Sequence, residues 1–219
     1  MKNSIAYCLF LMALPMYGQD SLAISKNFKF AEGVYLSFAE LRANKPSYPL
    51  DSLALQYFTN PQTSLTQVES IVHKNTGKPL EMAHIWAICL EGIPYIHLPP
   101  SEVNREFPTF AALKLRGKIC YFTYPDWRVK KVYIAAYNPL TGRPFREGLV
   151  EREEEVFVEK ILHFETGEIL DFNVINLLKW IQDDKPLVET IVELPVEDRK
   201  EKLFKCLLIY VDRNLAYLK

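Results

Sequence analysis

Glycine turns between runs of strand-forming residues constrain this fold more than any other feature of the sequence. Three of the turns carry a Thr-Gly pair, at 75–78, 140–143 and 165–168, and Glu91-Gly92 marks a fourth. Glycine late in a short hairpin loop supplies the left-handed backbone conformation that such loops need. The pattern predicts an antiparallel β-meander, with strands near 65–74, 83–90, 95–98, 117–124, 129–137, 144–150, 155–163 and 169–172.

Helices are predicted on both sides of this strand block. Ser37, with Glu40 three residues later, forms a capping box that begins a short helix ending at Lys45-Pro46. Asn173 can cap a helix that Pro186 stops, and Pro195 opens a last helix. The sequence therefore predicts an α+β fold, in which a short N-terminal helix and two C-terminal helices pack on an antiparallel meander sheet.

The first 19 residues have the layout of a secretory signal peptide. Lys2 is their only basic residue, and an apolar run from Ile5 to Leu14 follows it. That run is too short for a membrane span, which needs about 20 residues. We expect export through a cleaved signal peptide to the periplasm or the cell exterior, and a single α+β domain over 20–219.

The charge balance and the absence of specific motifs argue against several classes of partner. The chain has 26 basic and 27 acidic residues, so it has no long-range attraction for nucleic acid or an anionic membrane. No phosphate-binding glycine motif is present, and no cofactor is expected. The four histidines are predicted in different strands without metal-ligand spacing, so no metal site is expected and the catalytic residues, if any, are unknown.

The cysteines of the mature chain are predicted to be buried thiols. Cys89, Cys120 and Cys206 each lie among apolar residues. A bridge between Cys89 and Cys120 is the alternative if their strands adjoin. A hairpin with its loop at 91–94 places Cys89 and His97 on opposite faces of the sheet, which argues against a thiolate–imidazole pair.

A segment rich in aromatic and basic residues, 120–145, is the candidate ligand-binding surface. Its candidate residues are Tyr124, Trp127, Arg128 and Tyr133. Aromatic rings stack on flat apolar ligand surfaces, and arginine can hold a carboxylate beside them. Pro125-Asp126 predicts a turn that would expose Trp127, and a large exposed aromatic side chain usually has a partner. The ligand classes that fit are a glycan, a peptide or an envelope protein.

Three functions are compatible with these features. The leading hypothesis is a non-catalytic binding or interaction module. A second is an envelope-directed hydrolase whose site forms only in three dimensions, with His97, His163 and the glutamates of 151–155 as candidates. A third is a structural subunit of an envelope assembly, held by the stripe of Leu203, Leu207 and Val211. The oligomeric state is left open.

Three segments also resemble a group of uncharacterised exported proteins of Bacteroidota. They are FAEGVYLSFAELRANKPS, the tryptophan-bearing WAICLEGIPYI and the closing EDRKEKLFKCLLIYVDRN. The resemblance spans most of the mature chain, and it implies export and one folded unit. It implies no activity and no site residue.

Overall fold

The structure is a computed structural model that describes residues 22–102 and 105–218. The predicted signal peptide lies outside the described residues. The strands are β1 (Ala23–Ile24), β2 (Gly33–Tyr35), β3 (Tyr48–Pro49), β4 (Leu53–Thr59), β5 (Leu65–His73), β6 (Ala87–Leu90), β7 (Ile93–Leu98), β8 (Thr109–Ala112), β9 (Ile119–Tyr137), β10 (Pro144–His163), β11 (Ile169–Asp171) and β12 (Ala216–Tyr217). The α-helices are α1 (Phe38–Arg42), α2 (Val174–Trp180), α3 (Lys185–Glu193) and α4 (Val196–Arg213), and two 3-10 helices span Leu50–Ser52 and Met82–His84.

The mixture of helices and antiparallel strands is confirmed, but the prediction of a plain meander is wrong. Seven strands form one sheet in the order β3-β2-β6-β7-β8-β5-β4. Its two edge strands, β3 and β4, are consecutive in the chain and are joined only by the 3-10 helix Leu50–Ser52. The sheet therefore curls back toward itself into a near-barrel. Strands β2, β3 and β8 have at most four residues, too few to show the alternation by which strands are recognised.

The core consists of three apolar clusters that separate stacked layers. One face of the curled sheet encloses Val34, Val68, Ile88 and Phe110. Its other face packs through Tyr35, Cys89 and Ile96 against Phe122 and Leu162 at the base of β9 and β10. The opposite face of that base packs through Ile119, Tyr121 and Ile161 against helices α2, α3 and α4. The body therefore has three layers: the near-barrel, the three-stranded sheet β11-β10-β9 in the middle, and the C-terminal helices.

Strands β9 and β10 form one long hairpin, whereas the sequence predicts each of them as two shorter strands. The predicted turn at Pro125-Asp126 is absent, and Pro125 pairs with Phe157 inside the continuous ladder. Proline lacks a backbone N–H, so it is tolerated where that side of the strand has no partner. Strand β9 is the edge of its sheet, which explains why Pro125 does not interrupt it.

Three C-terminal helices are present instead of two. Helix α2 already ends at Trp180, before Pro186 is reached, and Pro186 instead occupies the first turn of α3, where its missing N–H is not needed. Asp184 caps α3 by accepting a hydrogen bond from the backbone N–H of Leu187 at 3.2 Å. A prediction that treats proline only as a helix end therefore misses a helix of nine residues.

The predicted Thr-Gly turns share one geometry. Gly77, Gly142 and Gly167 have φ angles of 66°, 63° and 78°, and each donates its N–H to the carbonyl four residues earlier at 2.8 Å. The turn at Glu91-Gly92 has two residues rather than the four predicted, so Ile88 pairs with Tyr95. This register differs from the predicted one by two residues, and an even shift keeps every side chain on its predicted face.

Candidate functional site

The outer part of the long hairpin projects from the layered body as an arm. We define the arm as residues 126–137 and 144–156 with the tip at 138–143. About a dozen residues of each strand extend roughly 40 Å at 3.3 Å per residue. Nearly all arm side chains are exposed, including that of Leu140 at the tip, which is 93% exposed. None of the described core clusters contains an arm residue.

The four candidate binding residues do not converge on one site. Tyr124 is buried, and its hydroxyl donates a hydrogen bond to Glu102, so its ring faces the core rather than a ligand. Trp127 and Tyr133 share one face of the arm but lie about 20 Å apart, since they are six positions apart along the strand. Arg128 lies on the opposite face, where its Nε is 3.4 Å from Asp126.

Trp127 instead belongs to a concave surface at the root of the arm, where the arm meets one end of the near-barrel. A cleft of about 250 Å³ separates the indole from strands β4 and β5. Its lining residues are Phe58, Asn60, Thr63, Leu65, Gln67, Arg105, Pro125, Trp127 and Glu155. A shallow hollow of about 490 Å³ continues from it, because Phe58 and Gln67 line both. We call the cleft and the hollow together the aromatic cleft.

Exposed rings dominate the aromatic cleft. Trp127 is 59% exposed and Phe58 is 63% exposed, while Tyr57 and Phe107 are also open to solvent in the hollow. The side-chain amide of Gln67 and the carboxylate of Glu155 lie beside these rings. An amide both donates and accepts hydrogen bonds, and a carboxylate accepts them. The surface therefore combines flat apolar faces with polar groups suited to hydroxyls.

The loop between β7 and β8 holds the cleft against the root of the arm. Arg105 donates a hydrogen bond to the carbonyl of Pro125 at 3.4 Å. Glu102 accepts the hydroxyl proton of Tyr124 and lies 3.6 Å from the Nζ of Lys160. Burial, together with the hydrogen bond to Glu102, raises the pKa of Tyr124, so this hydroxyl remains a donor across the neutral range. The loop that forms this wall of the cleft therefore contacts both β9, through Tyr124, and β10, through Lys160.

A second, apolar groove of about 650 Å³ adjoins the aromatic cleft, since Arg105 lines both. His97 and Trp86 are among its walls. The Nδ1 of His97 is 2.9 Å from the carbonyl oxygen of Ile85, and because a carbonyl can only accept, Nδ1 carries the proton. Burial lowers the pKa of His97, with the hydrogen bond to Ile85 opposing it. The neutral form of this ring therefore has its proton on Nδ1 and a hydrogen-bond acceptor at Nε2.

The residues of the hydrolase hypothesis lie in different layers. His97 stacks on Phe110 in the near-barrel, with ring centroids 4.7 Å apart. His163 packs edge-on against Trp180 of α2, on the helical side of the three-stranded sheet. Most of the glutamates of 151–155 follow the arm, and Glu155 alone reaches the aromatic cleft. The structure brings no two of these three groups together.

The cysteines are buried thiols without a disulfide in the described chain. Burial raises the pKa of both Cys89 and Cys120 to about 12, so neither is a thiolate at neutral pH.

In residues 22–102 and 105–218, no group of three or more metal-ligating side chains is assembled. Within the same residues, no helix combines the length and apolar character that crossing a membrane requires.

Of the exposed rings that line the aromatic cleft, the sequence pattern identifies Trp127 as a candidate but not Tyr57, Phe58 or Phe107. Their signal was available in part, since Tyr57-Phe58 precedes Asn60-Pro61, a polar turn that ends a strand and exposes its last rings. Phe107 precedes a short strand that the pattern did not reveal. The three reach Trp127 only through the pairing of β5 with both β4 and β8.

Comparison with known proteins found no match to this chain among family models, curated proteins or solved structures.

Proposed function

We propose that the protein is a non-catalytic binding module of the periplasm or cell exterior, and that the aromatic cleft binds a glycan. The carrying observation is that the indole of Trp127, 59% exposed, opens into a cleft shared with exposed Phe58 and with polar side chains. Large exposed aromatic side chains that are grouped in one concave surface are typical of binding sites, whereas single exposed aromatic side chains are not.

The chemistry of the cleft favours a glycan over a peptide. A pyranose ring presents an apolar C–H face that stacks on an indole or phenyl ring, and equatorial hydroxyls around its edge. Gln67 and Glu155 supply donors and acceptors at the edge of the aromatic cleft. An extended peptide would instead be expected to pair through its backbone with a free strand edge such as that of β4, whereas the cleft presents rings and polar side chains.

The two other hypotheses find less support in the geometry. The candidate catalytic groups lie in separate layers, as described above. The stripe of Leu203, Leu207 and Val211 is buried against the protein's own three-stranded sheet, so it is not free to hold an assembly.

Thermal melting with a panel of envelope glycans, peptidoglycan fragments and short peptides tests the proposal. A ligand at 100 times its dissociation constant stabilises the chain by about 2.7 kcal/mol, and Tm should rise by about 5–10 °C. Trp127→Ala should weaken glycan binding about 30-fold, because an aromatic anchor contributes about 2 kcal/mol.

Tyr133→Ala is the matched control, since Tyr133 is equally exposed on the arm but lies outside the cleft. It should leave the affinity for the glycan unchanged. Equal losses in the two variants would refute the location of the site. A shift with peptides alone would refute the ligand class, and no shift with any glycan would refute the proposed function.

A further inference from the structure

The outer edge of β9 in the arm carries an uncharged run that ordinary surface strands avoid. Residues 132–137 read Val-Tyr-Ile-Ala-Ala-Tyr, without a charge, a glycine or a proline. No strand of the described chain pairs with this edge. Exposed edges of this kind recruit another strand, and proteins normally blunt them with lysine or proline. We infer that 132–137 pairs antiparallel with the same segment of a second copy of this chain.

The rest of the arm is protected in the usual way, which confines pairing to this run. Closer to the body, the edge of β9 carries Arg128, Lys130 and Lys131. The two lysines already pair across the hairpin with Glu154 at 3.4 Å and Glu151 at 3.8 Å. The charges that precede this short uncharged segment confine the overlap to the outer part of β9, so the product is a discrete dimer and not an open chain of copies.

The outer edge of β10 is a poorer partner. It begins with Pro144, which cannot donate a hydrogen bond to a neighbouring strand. Arg146 and Glu147 then interrupt it with charges, and Gly148 weakens it as a strand. The uncharged edge of β9 is therefore the edge that a second copy would meet.

Two-fold symmetry limits the register to two choices. Antiparallel partners point to the same side of a sheet, so a two-fold axis perpendicular to the sheet must pass beside a single residue, either Ile134 or Ala135. With the axis at Ile134, Lys131 lies opposite Tyr137 of the second copy. With the axis at Ala135, Lys131 lies opposite Pro139. Neither choice places lysines of the two copies opposite each other.

The shape of the molecule is compatible with this pairing. An antiparallel overlap of the two arms puts the two bodies at opposite ends of a four-stranded ribbon. Residues 126–131 separate each body from the overlap by about 20 Å, so the bodies do not collide. A two-stranded ribbon alone is marginally stable in water, and the two strands of the second copy would stabilise it through additional backbone hydrogen bonds and side-chain contacts. The inference is independent of the glycan proposal, because the aromatic cleft stays open at the root of each arm.

Single cysteines test the register directly. Ile134→Cys or Ala135→Cys should give a disulfide-linked dimer under mild oxidation, because only a residue at the axis meets its own copy. Val129→Cys is the control on the same strand and is exposed like Ile134. It would lie about 33 Å from its symmetry mate with the axis at Ile134 and about 40 Å with the axis at Ala135. The three cysteines of the predicted mature chain, Cys89, Cys120 and Cys206, do not interfere, since each is buried.

Sedimentation equilibrium on the unmodified chain, at up to about 200 µM, provides the second measurement. We expect a monomer–dimer equilibrium whose dissociation constant rises at least tenfold in Ile134→Lys. Ile175→Lys makes the same substitution at an exposed isoleucine of α2 and should leave the equilibrium unchanged. A chain that remains monomeric throughout overturns the inference. So does crosslinking at Val129→Cys as efficient as at both central positions, or equal loss of the dimer in both lysine variants.

Discussion

Leu207→Ala should lower the free energy of unfolding by about 2–5 kcal/mol. Leu207 is fully buried in the cluster that joins α4 to Ile119 and Ile161 of the three-stranded sheet. Truncation removes apolar contacts and leaves a cavity. The cavity stays open because the helices on one side and the sheet on the other are both held in place. At this chain length, Tm should fall by about 2–4 °C for each kcal/mol, as calorimetry would show.

Ile209→Ala is the matched control on the same helix, because Ile209 is 41% exposed. It should cost less than about 1 kcal/mol. The loss in Leu207→Ala should not depend on protein concentration, since the stripe covers the protein's own sheet. A loss that grows on dilution would instead show that α4 stabilises an assembly, as the structural-subunit hypothesis requires.

Gly33→Ala should destabilise the near-barrel by a similar amount, about 2–5 kcal/mol. Gly33 has a φ angle of 149°, and a Cβ there would lie 2.2 Å from the carbonyl oxygen of Tyr48. A backbone atom cannot rotate away as a side chain can. The substitution therefore forces β2 away from β3, the strand at one end of the curled sheet.

Gly148→Ala provides the comparison within the arm. Gly148 lies in a strand, but a Cβ added there meets nothing within 4 Å. Its effect on the free energy of unfolding should be within about 0.5 kcal/mol, because alanine is tolerated where the backbone is extended. If chemical denaturation shows equal stability for Gly33→Ala and the unmodified chain, the close approach of β2 and β3 is wrong.

Local chemistry made the turns predictable. Each Thr-Gly turn depends on a positive φ angle at its own glycine. The helix after Asn173 depends on a cap from the Asn173 side chain, which accepts a hydrogen bond from the N–H of Asn176. These are interactions between residues a few positions apart. The face assignment of His97 and Cys89 also survived, because an error of two residues in the register does not exchange faces.

Non-local partners decided what the sequence did not reveal. Pro125 reads as a turn until one knows that β9 is an edge strand with nothing to receive a hydrogen bond on that side. Pro186 reads as a stop until Asp184 is seen to cap a new helix. The aromatic cleft depends on the same kind of information. Trp127 and Phe58 are 69 positions apart, and only the packing of the arm's root against β4 and β5 places them in one cleft.

The central claim is that the packed body determines the stability of the protein, whereas the arm mediates its self-association. Hydrogen exchange at peptide resolution, measured at protein concentrations of about 5 and about 200 µM, tests this claim most directly. We expect the amides of β6 and β7, inside the core, to exchange slowly at both concentrations. The amides of 132–137 should gain protection only at the higher concentration, when the edge of β9 is paired. Arm amides whose exchange is the same at both concentrations, or core amides that follow the arm, would contradict this division.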